Sequence, residues 1–254
     1  MITTIRSRFD DLRLALMILT RLPAGSGKLD SGATFARALW AYPIAGAFVG
    51  AVGGAIFGAA ALLRLPTSVA AAAALAAAML TSGGLHEDGL SDFCDGLGGG
   101  RDRERKLEIM RDSHMGVYGA LGLVVSSLLR WSALAALAEP KLVLTAWVAA
   151  GALSRCAIAL PLVVLPPARS DGLGVQAASP PAWSVVGAVL IAVGITAAFF
   201  GANAWLLTLV ALIAAVIVTL LARYHLGGQT GDVLGACALS AECAVLVAAS
   251  GRWL

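Results

Sequence analysis

The chain has 254 residues, 59% of them hydrophobic and 13% charged, and its mean hydropathy is +0.86. A soluble domain carries about 25% charged residues, so this composition excludes an ordinary water-soluble fold and indicates an all-α, polytopic membrane protein. The formal charge of +3 says little by itself, and no nucleic-acid partner is expected.

Residues 1–37 form an N-terminal arm in which Arg6, Arg8, Asp10, Asp11 and Arg13 precede any apolar run, so no cleavable signal is expected. Residues 9–22 are apolar but short, and are expected as an interfacial helix or one lying against the bundle. Pro23 ends this segment, and the stretch up to Gly32 reads as a loop. Apolar segments long enough to cross a bilayer follow at 39–63 and 67–85, joined by the turn Arg64, Leu65, Pro66. The second runs straight into residues 83–116, GGLHEDGLSDFCDGLGGGRDRERKLEIMRDSHMG. Within it, Gly96 to Gly100 reads as a flexible hinge. Residues 101–112 read as a short amphipathic helix, with Asp102 and Lys106 as an i,i+4 pair. Further spans are expected at 117–137, 142–165, 183–200, 204–222 and 233–247, about seven in all, forming one membrane-embedded domain over 1–254. Polar loops lie at 166–181 and 223–232. The four cysteines, Cys94, Cys156, Cys237 and Cys243, form no CxxC pair and read as small packing residues.

Basic residues set the orientation. With a cytoplasmic N-terminus, thirteen Lys and Arg fall on the cytoplasmic side, including Arg6, Lys28, Arg101 to Arg111, Arg169 and Arg223. The other side holds Arg64, Lys141 and Arg252, while Arg130 and Arg155 fall inside spans. The positive-inside rule therefore puts the acidic motif and both polar loops on the cytoplasmic face.

In the acidic motif, Asp88, Asp92 and Asp95 stand at i, i+4 and i+7, within roughly 60° of one another on a helix. Glu87 is off that face by about 100° and is left out of the set. Oxygen-only ligands favour Mg²⁺ or Mn²⁺ over zinc. Arg101, Arg103, Arg105, Lys106 and Arg111 follow, residue types that hold phosphate oxygens. Carboxylates followed by a basic run point to a metal-assisted site for a phosphorylated substrate; a solvated loop between spans is the plain alternative.

The motif of residues 83–116, with LTRLP at 19–23, LSR at 153–155 and LGGQTGDVLGA at 226–236, closely resembles the cobalamin-5'-phosphate synthase family, also called adenosylcobinamide-GDP ribazoletransferases. The resemblance implies a multi-pass enzyme of the bacterial inner membrane. It would join α-ribazole, or its 5'-phosphate, to adenosylcobinamide-GDP with release of GMP and a requirement for Mg²⁺. It leaves open a homo-oligomer or a complex with other late cobalamin enzymes. On that reading Asp88, Asp92 and Asp95 hold the metal, and Asp92 and Asp95 are catalytic. Arg101, Arg103 and Arg111 bind phosphates, Asp112 and Ser113 touch metal or phosphate, and Thr230 and Asp232 close over the substrate. An N-cap role for Thr230 or Asp232 is nearly as well supported. His86 reads equally as a general base, a phosphate ligand or a helix-end histidine. Asp92 to Gly96 also resembles the first half of the DxxDG motif of CDP-alcohol phosphotransferases, but the rest of that motif does not follow. Two other classes share features with this chain: membrane prenyltransferases, which present two Asp-rich loops, and cation transporters, whose acids lie at the bilayer midplane.

Overall fold

The computed structural model describes residues 2–23 and 34–251, with side chains from Arg8 onward. The expected loop up to Gly32, Lys28 and Arg252 lie outside the described residues, as does the side chain of Arg6. Helix α1 (Ile2–Leu19) buries Leu14, Ala15 and Leu19, so it lies against the bundle. Its Asp11 is fully buried, and such a charge needs partners. The Trp40 indole donates to it at 3.3 Å, and Arg8 and Arg37 each stand 3.7 Å from the same oxygen.

A short α2 (Phe35–Ala38) and one 3-10 turn lead into α3 (Tyr42–Leu62). Then come α4 (Thr67–Ser82), α5 (Leu85–Gly99), α6 (Arg103–Ile109), α7 (Val117–Leu137), α8 (Pro140–Ala157) and α9 (Ala159–Val164). The chain closes with α10 (Leu173–Gln176), α11 (Ala182–Phe200), α12 (Ala204–Leu226) and α13 (Gly231–Ala249). Among the described residues five helical stretches are long and apolar enough to cross a membrane, and α4 with α5, bent by 89°, counts as a sixth. One of the five, Ala182–Leu226, has 45 residues, about 68 Å of helix against about 30 Å of hydrocarbon. Gly201, at φ +52°, breaks it into α11 and α12. Their outer ends return to one end of the bundle. Ser184 of α11 accepts from the Trp40 N–H beside α2, the carbonyl of Leu226 in α12 accepts from Arg103, and Phe35 of α2 shares a cavity with Asp232. Each of the seven expected apolar segments is thus helical.

Small residues let the helices approach. Gly46 of α3 and Gly151 of α8 bring their backbones into contact, and a Cβ on either would overlap the other's carbonyl. Helix α13 is central: 78% of its span is buried, against 22% for α7. In this interior Arg130 donates to Glu87 at 2.9 Å and approaches Glu242 at 3.5 Å. Arg155 pairs with the other Glu242 oxygen, and the Trp147 indole donates to Glu242 at 3.3 Å. Two guanidinium groups and two carboxylates thereby balance, which is how charge persists inside a membrane bundle. The cluster ties the start of α5 to α7, α8 and α13. All four cysteines are free.

Three local expectations are corrected. The second span ends at Ser82, because Gly83 and Gly84 both adopt φ +70° and turn the chain, a conformation glycine takes without strain. Gly96 to Gly100 is no hinge: α5 runs on to Gly99, and its bare face is covered by Met110, Tyr118 and Lys106. Lys106 donates to the carbonyls of Gly100 and Leu97 at the end of α5, where a cation suits the helix dipole. Asp102 therefore does not pair with Lys106. It caps α6, accepting from the Arg105 N–H at 2.8 Å.

Candidate active site

The acidic motif and the two polar loops meet at one end of the bundle. Ala168 donates to the Gln229 carbonyl and Gln229 to the Pro166 carbonyl, both at 2.8 Å, and the Gln229 amide donates to Gly174 at 2.8 Å. Arg103 fastens this junction, donating to Leu226 at 2.7 Å and Ala168 at 3.0 Å. Arg169 reaches across, donating to the Leu107 carbonyl at 3.0 Å and to Asp232 at 3.3 Å. The three loops the sequence assigned to a common face are therefore one packed unit.

Helix α5 presents its acids to two adjoining spaces. Asp88 is exposed and Asp92 half-buried, and with Arg21, Ser91 and Ser113 they line an open cleft of about 610 Å³. Asp88 also lines a smaller, mainly apolar cavity of about 210 Å³ together with His86 and Asp232. Asp232 comes from the first turn of α13, so carboxylates far apart in sequence meet here. Asp92 stands on the cleft side of α5 with Asp88 and Asp232 as neighbouring acids and Arg169 as the nearby cation.

Asp95 is turned elsewhere. It is buried, and its two oxygens accept from the N–H groups of Gly116 at 2.7 Å and Gly119 at 2.8 Å. Gly116 is the N-cap of α7 and has no side chain to close the helix start. Asp95 supplies that cap from α5, where an anion meets both free donors and the positive end of the dipole. Glu87, off the aspartate face, pairs with Arg130.

The remaining candidates divide in the same way. Thr230 is the N-cap of α13, accepting from Val233 at 3.3 Å while donating to Asp232 at 3.2 Å. Arg101 is exposed, whereas Arg103 is spent on the carbonyls at the loop junction. Arg111 pairs with Asp171 at 2.6 Å on the surface. Asp112 accepts from the backbone and ring of His114, which lower its pKa. Ser113 lines the cleft, and His86 is buried with neither ring nitrogen partnered among the described residues. Arg169 and Arg21 were not singled out as site residues from the sequence. The signal for Arg21 was its place in LTRLP; Arg169 shows no signal beyond being a cation in a polar loop.

Among the described residues no three His, Cys, Asp or Glu side chains are grouped so that they could hold a metal ion by themselves. The donor set is carboxylate only, which suits a hard cation that shares its shell with water and substrate phosphates, and does not suit zinc.

A family model for cobalamin-5-phosphate synthase matches residues 11–250. The chain is 45% identical over 248 residues to an adenosylcobinamide-GDP ribazoletransferase of Bradyrhizobium diazoefficiens, covering 97% of this chain and 95% of that one. It is 44% identical over 255 residues to the enzyme of that name from Mesorhizobium japonicum, with 96% and 94% covered. For the one from Sinorhizobium medicae the identity is 41% over 259 residues, with 96% and 97% covered. No solved structure matches the chain.

Proposed function

The chain belongs to the cobalamin-5-phosphate synthase family, and from that premise we propose how its polar end carries out ribazole transfer. The protein is a multi-pass membrane transferase of cobalamin biosynthesis. Its reaction joins α-ribazole to adenosylcobinamide-GDP: the 5'-oxygen of the ribazole bonds to the corrinoid's phosphorus and the bond to GMP breaks. The observation that carries the site assignment is the meeting of Asp232 with Asp88 and Asp92 beside an open cleft.

In this reading carboxylates among Asp88, Asp92 and Asp232 would hold Mg²⁺ together with the substrate pyrophosphate, and the ion would supply positive charge against the negative charge that builds on the bridging and leaving oxygens. Magnesium demands octahedral geometry and keeps several waters, using one or two carboxylates plus phosphates. A carboxylate set without a closed cage is what such sharing requires. Asp95 supports the site from behind by fixing α7 against α5. Arg169 orients Asp232 and carries positive charge to the rim, and the exposed Arg101 is free to meet an outer phosphate. The acidic face opens to the cytoplasm of the bacterial inner membrane, where the positive-inside bias puts the basic α6.

The test is to incubate the purified protein in lipid with adenosylcobinamide-GDP, α-ribazole and Mg²⁺. Stoichiometric GMP and joined corrinoid are expected, and EDTA abolishes both. Turnover persisting in EDTA would remove Mg²⁺ from the account.

A further inference from the structure

The open cleft of about 610 Å³ is lined by two carboxylates, Asp88 and Asp92, and by one cation among the described residues, Arg21. A phosphorylated substrate entering it is repelled by both acids, so a cation fixed in the same space matters. The backbone holds Arg21 in place. Its N–H donates to the Thr81 carbonyl of α4 at 2.7 Å. The Thr20 hydroxyl donates to the Leu16 carbonyl at 2.6 Å and accepts from the Leu22 N–H at 3.2 Å. The chain leaving α1 is thereby fastened to the end of α4. The Arg21 side chain then crosses Gly83, where a Cβ would overlap its Cγ, Cδ and Nε. The glycine that turns the chain between α4 and α5 thus also makes room for this arginine. Arg21 is exposed to the cleft, and among the described residues no carboxylate pairs with its guanidinium and no acceptor bonds to it. Arg103, Arg111 and Arg169, at the same end of the bundle, are each engaged by protein oxygens.

We propose that Arg21 binds the pyrophosphate of the GDP-activated corrinoid through its guanidinium, as a further substrate-contacting residue of the transfer reaction. The proposal rests on the ribazole-transfer reading and adds one residue to its site. A guanidinium presents paired N–H groups in a plane that matches two phosphate oxygens, which an ammonium does not reproduce. With its stem already laid over Gly83, the side chain loses less freedom when the substrate arrives. Two phosphates enter this reaction: the pyrophosphate, and the 5'-phosphate of the ribazole when that form is used. The pyrophosphate is present whichever form of the nucleophile reacts. Asp88 and Asp92, the carboxylates assigned to the metal and pyrophosphate, line the same cleft as Arg21. The cation therefore belongs with the pyrophosphate. As GMP leaves, negative charge builds on those oxygens, and a cation fixed beside them stabilises it.

The test is steady-state turnover by purified protein in lipid nanodiscs at saturating Mg²⁺, for wild type, Arg21→Met and Arg21→Lys. Each is run with α-ribazole and with α-ribazole 5'-phosphate as the nucleophile. Met keeps an apolar stem and removes the charge; Lys keeps the charge and removes the fork. With folding checked by Tm, Arg21→Met is expected to lower kcat/KM for adenosylcobinamide-GDP by about tenfold or more. The factor should be the same with either nucleophile, and KM for the nucleophile should hold. Arg21→Lys should fall between the two, and carries the test if Arg21→Met does not fold. A merely structural arginine would not separate the two substrates in this way. A wild-type kcat/KM in a folded variant overturns the proposal. A loss confined to α-ribazole 5'-phosphate also overturns it, by moving Arg21 to the nucleophile's phosphate. Failure of the underlying reading is a different result: wild-type protein that produces no joined corrinoid with either nucleophile.

Discussion

Asp92 is half-buried on α5, with Asp88 on the same helix and Asp232 from the first turn of α13 as neighbouring acids. Like charges this close repel when no cation lies between them. Asp92→Asn removes one of these charges and keeps its shape. Without metal the variant's Tm should equal or exceed that of wild type, and Mg²⁺ should raise the wild-type Tm more than the variant's. An equal Mg²⁺ response in the two proteins would contradict the crowding. The i, i+4 spacing made Asp88 and Asp92 legible in the sequence. The destination of Asp95 was not, because it depends on where the chain returns to begin α7, more than twenty residues later. Spacing fixes the direction in which a side chain leaves its helix, and the neighbour it meets is a tertiary fact.

Two contacts decide how the elements hold the site: Asp95 capping α7, and Glu242 joining α13 to α7 and α8. A buried carboxylate accepting two backbone N–H bonds is worth about 1.5–3 kcal/mol per charged hydrogen bond lost. Asp95→Asn should lower Tm with or without Mg²⁺, whereas Asp92→Asn should not lower it in metal-free buffer. A wild-type Tm for Asp95→Asn would remove the capping role. Glu242 is the common partner of Arg130 and Arg155. Glu242→Ala leaves buried guanidinium charge uncompensated, at a cost of about 3–5 kcal/mol. Loss of monodisperse protein in size-exclusion chromatography, or a large fall in Tm, is expected; wild-type behaviour would show the pairs to be dispensable. Arg130 and Arg155 stood out in the sequence as charges within apolar spans. Their acid partners could not be read there, because Glu242 and Glu87 approach them only once α5, α7, α8 and α13 pack. The glycines at 96 to 100 misled for the same reason, since side chains from α6 and α7 cover the surface that would have left them mobile.

Across the whole molecule the apolar segments were legible, because a bilayer imposes length and composition strongly enough to be read locally. The break at Gly83 and Gly84, which carries the acidic helix away from α4, shows only as a glycine pair in an otherwise continuous run. The gathering of the motif and both polar loops at one end followed from basic residues alone, and the contacts of Arg103 and Arg169 give it physical form. Which membrane face that end occupies is testable by labelling intact cells on a cysteine-free background. Glu104→Cys should be protected from an impermeant reagent and Lys141→Cys modified. The reverse pattern would move the site to the outer face.

Ribazole transfer, as proposed, depends on carboxylates of α5 and α13 acting together on a metal-bound pyrophosphate. Asparagine keeps the shape of Asp92 but not its charge, and electrostatic stabilisation of this kind is usually the largest catalytic contribution. The direct measurement is the rate of GMP release by folded Asp92→Asn at limiting Mg²⁺, with adenosylcobinamide-GDP and α-ribazole saturating. A fall of several orders of magnitude, partly recovered at high Mg²⁺ or Mn²⁺, is the predicted result. Release at near the wild-type rate would contradict the claim.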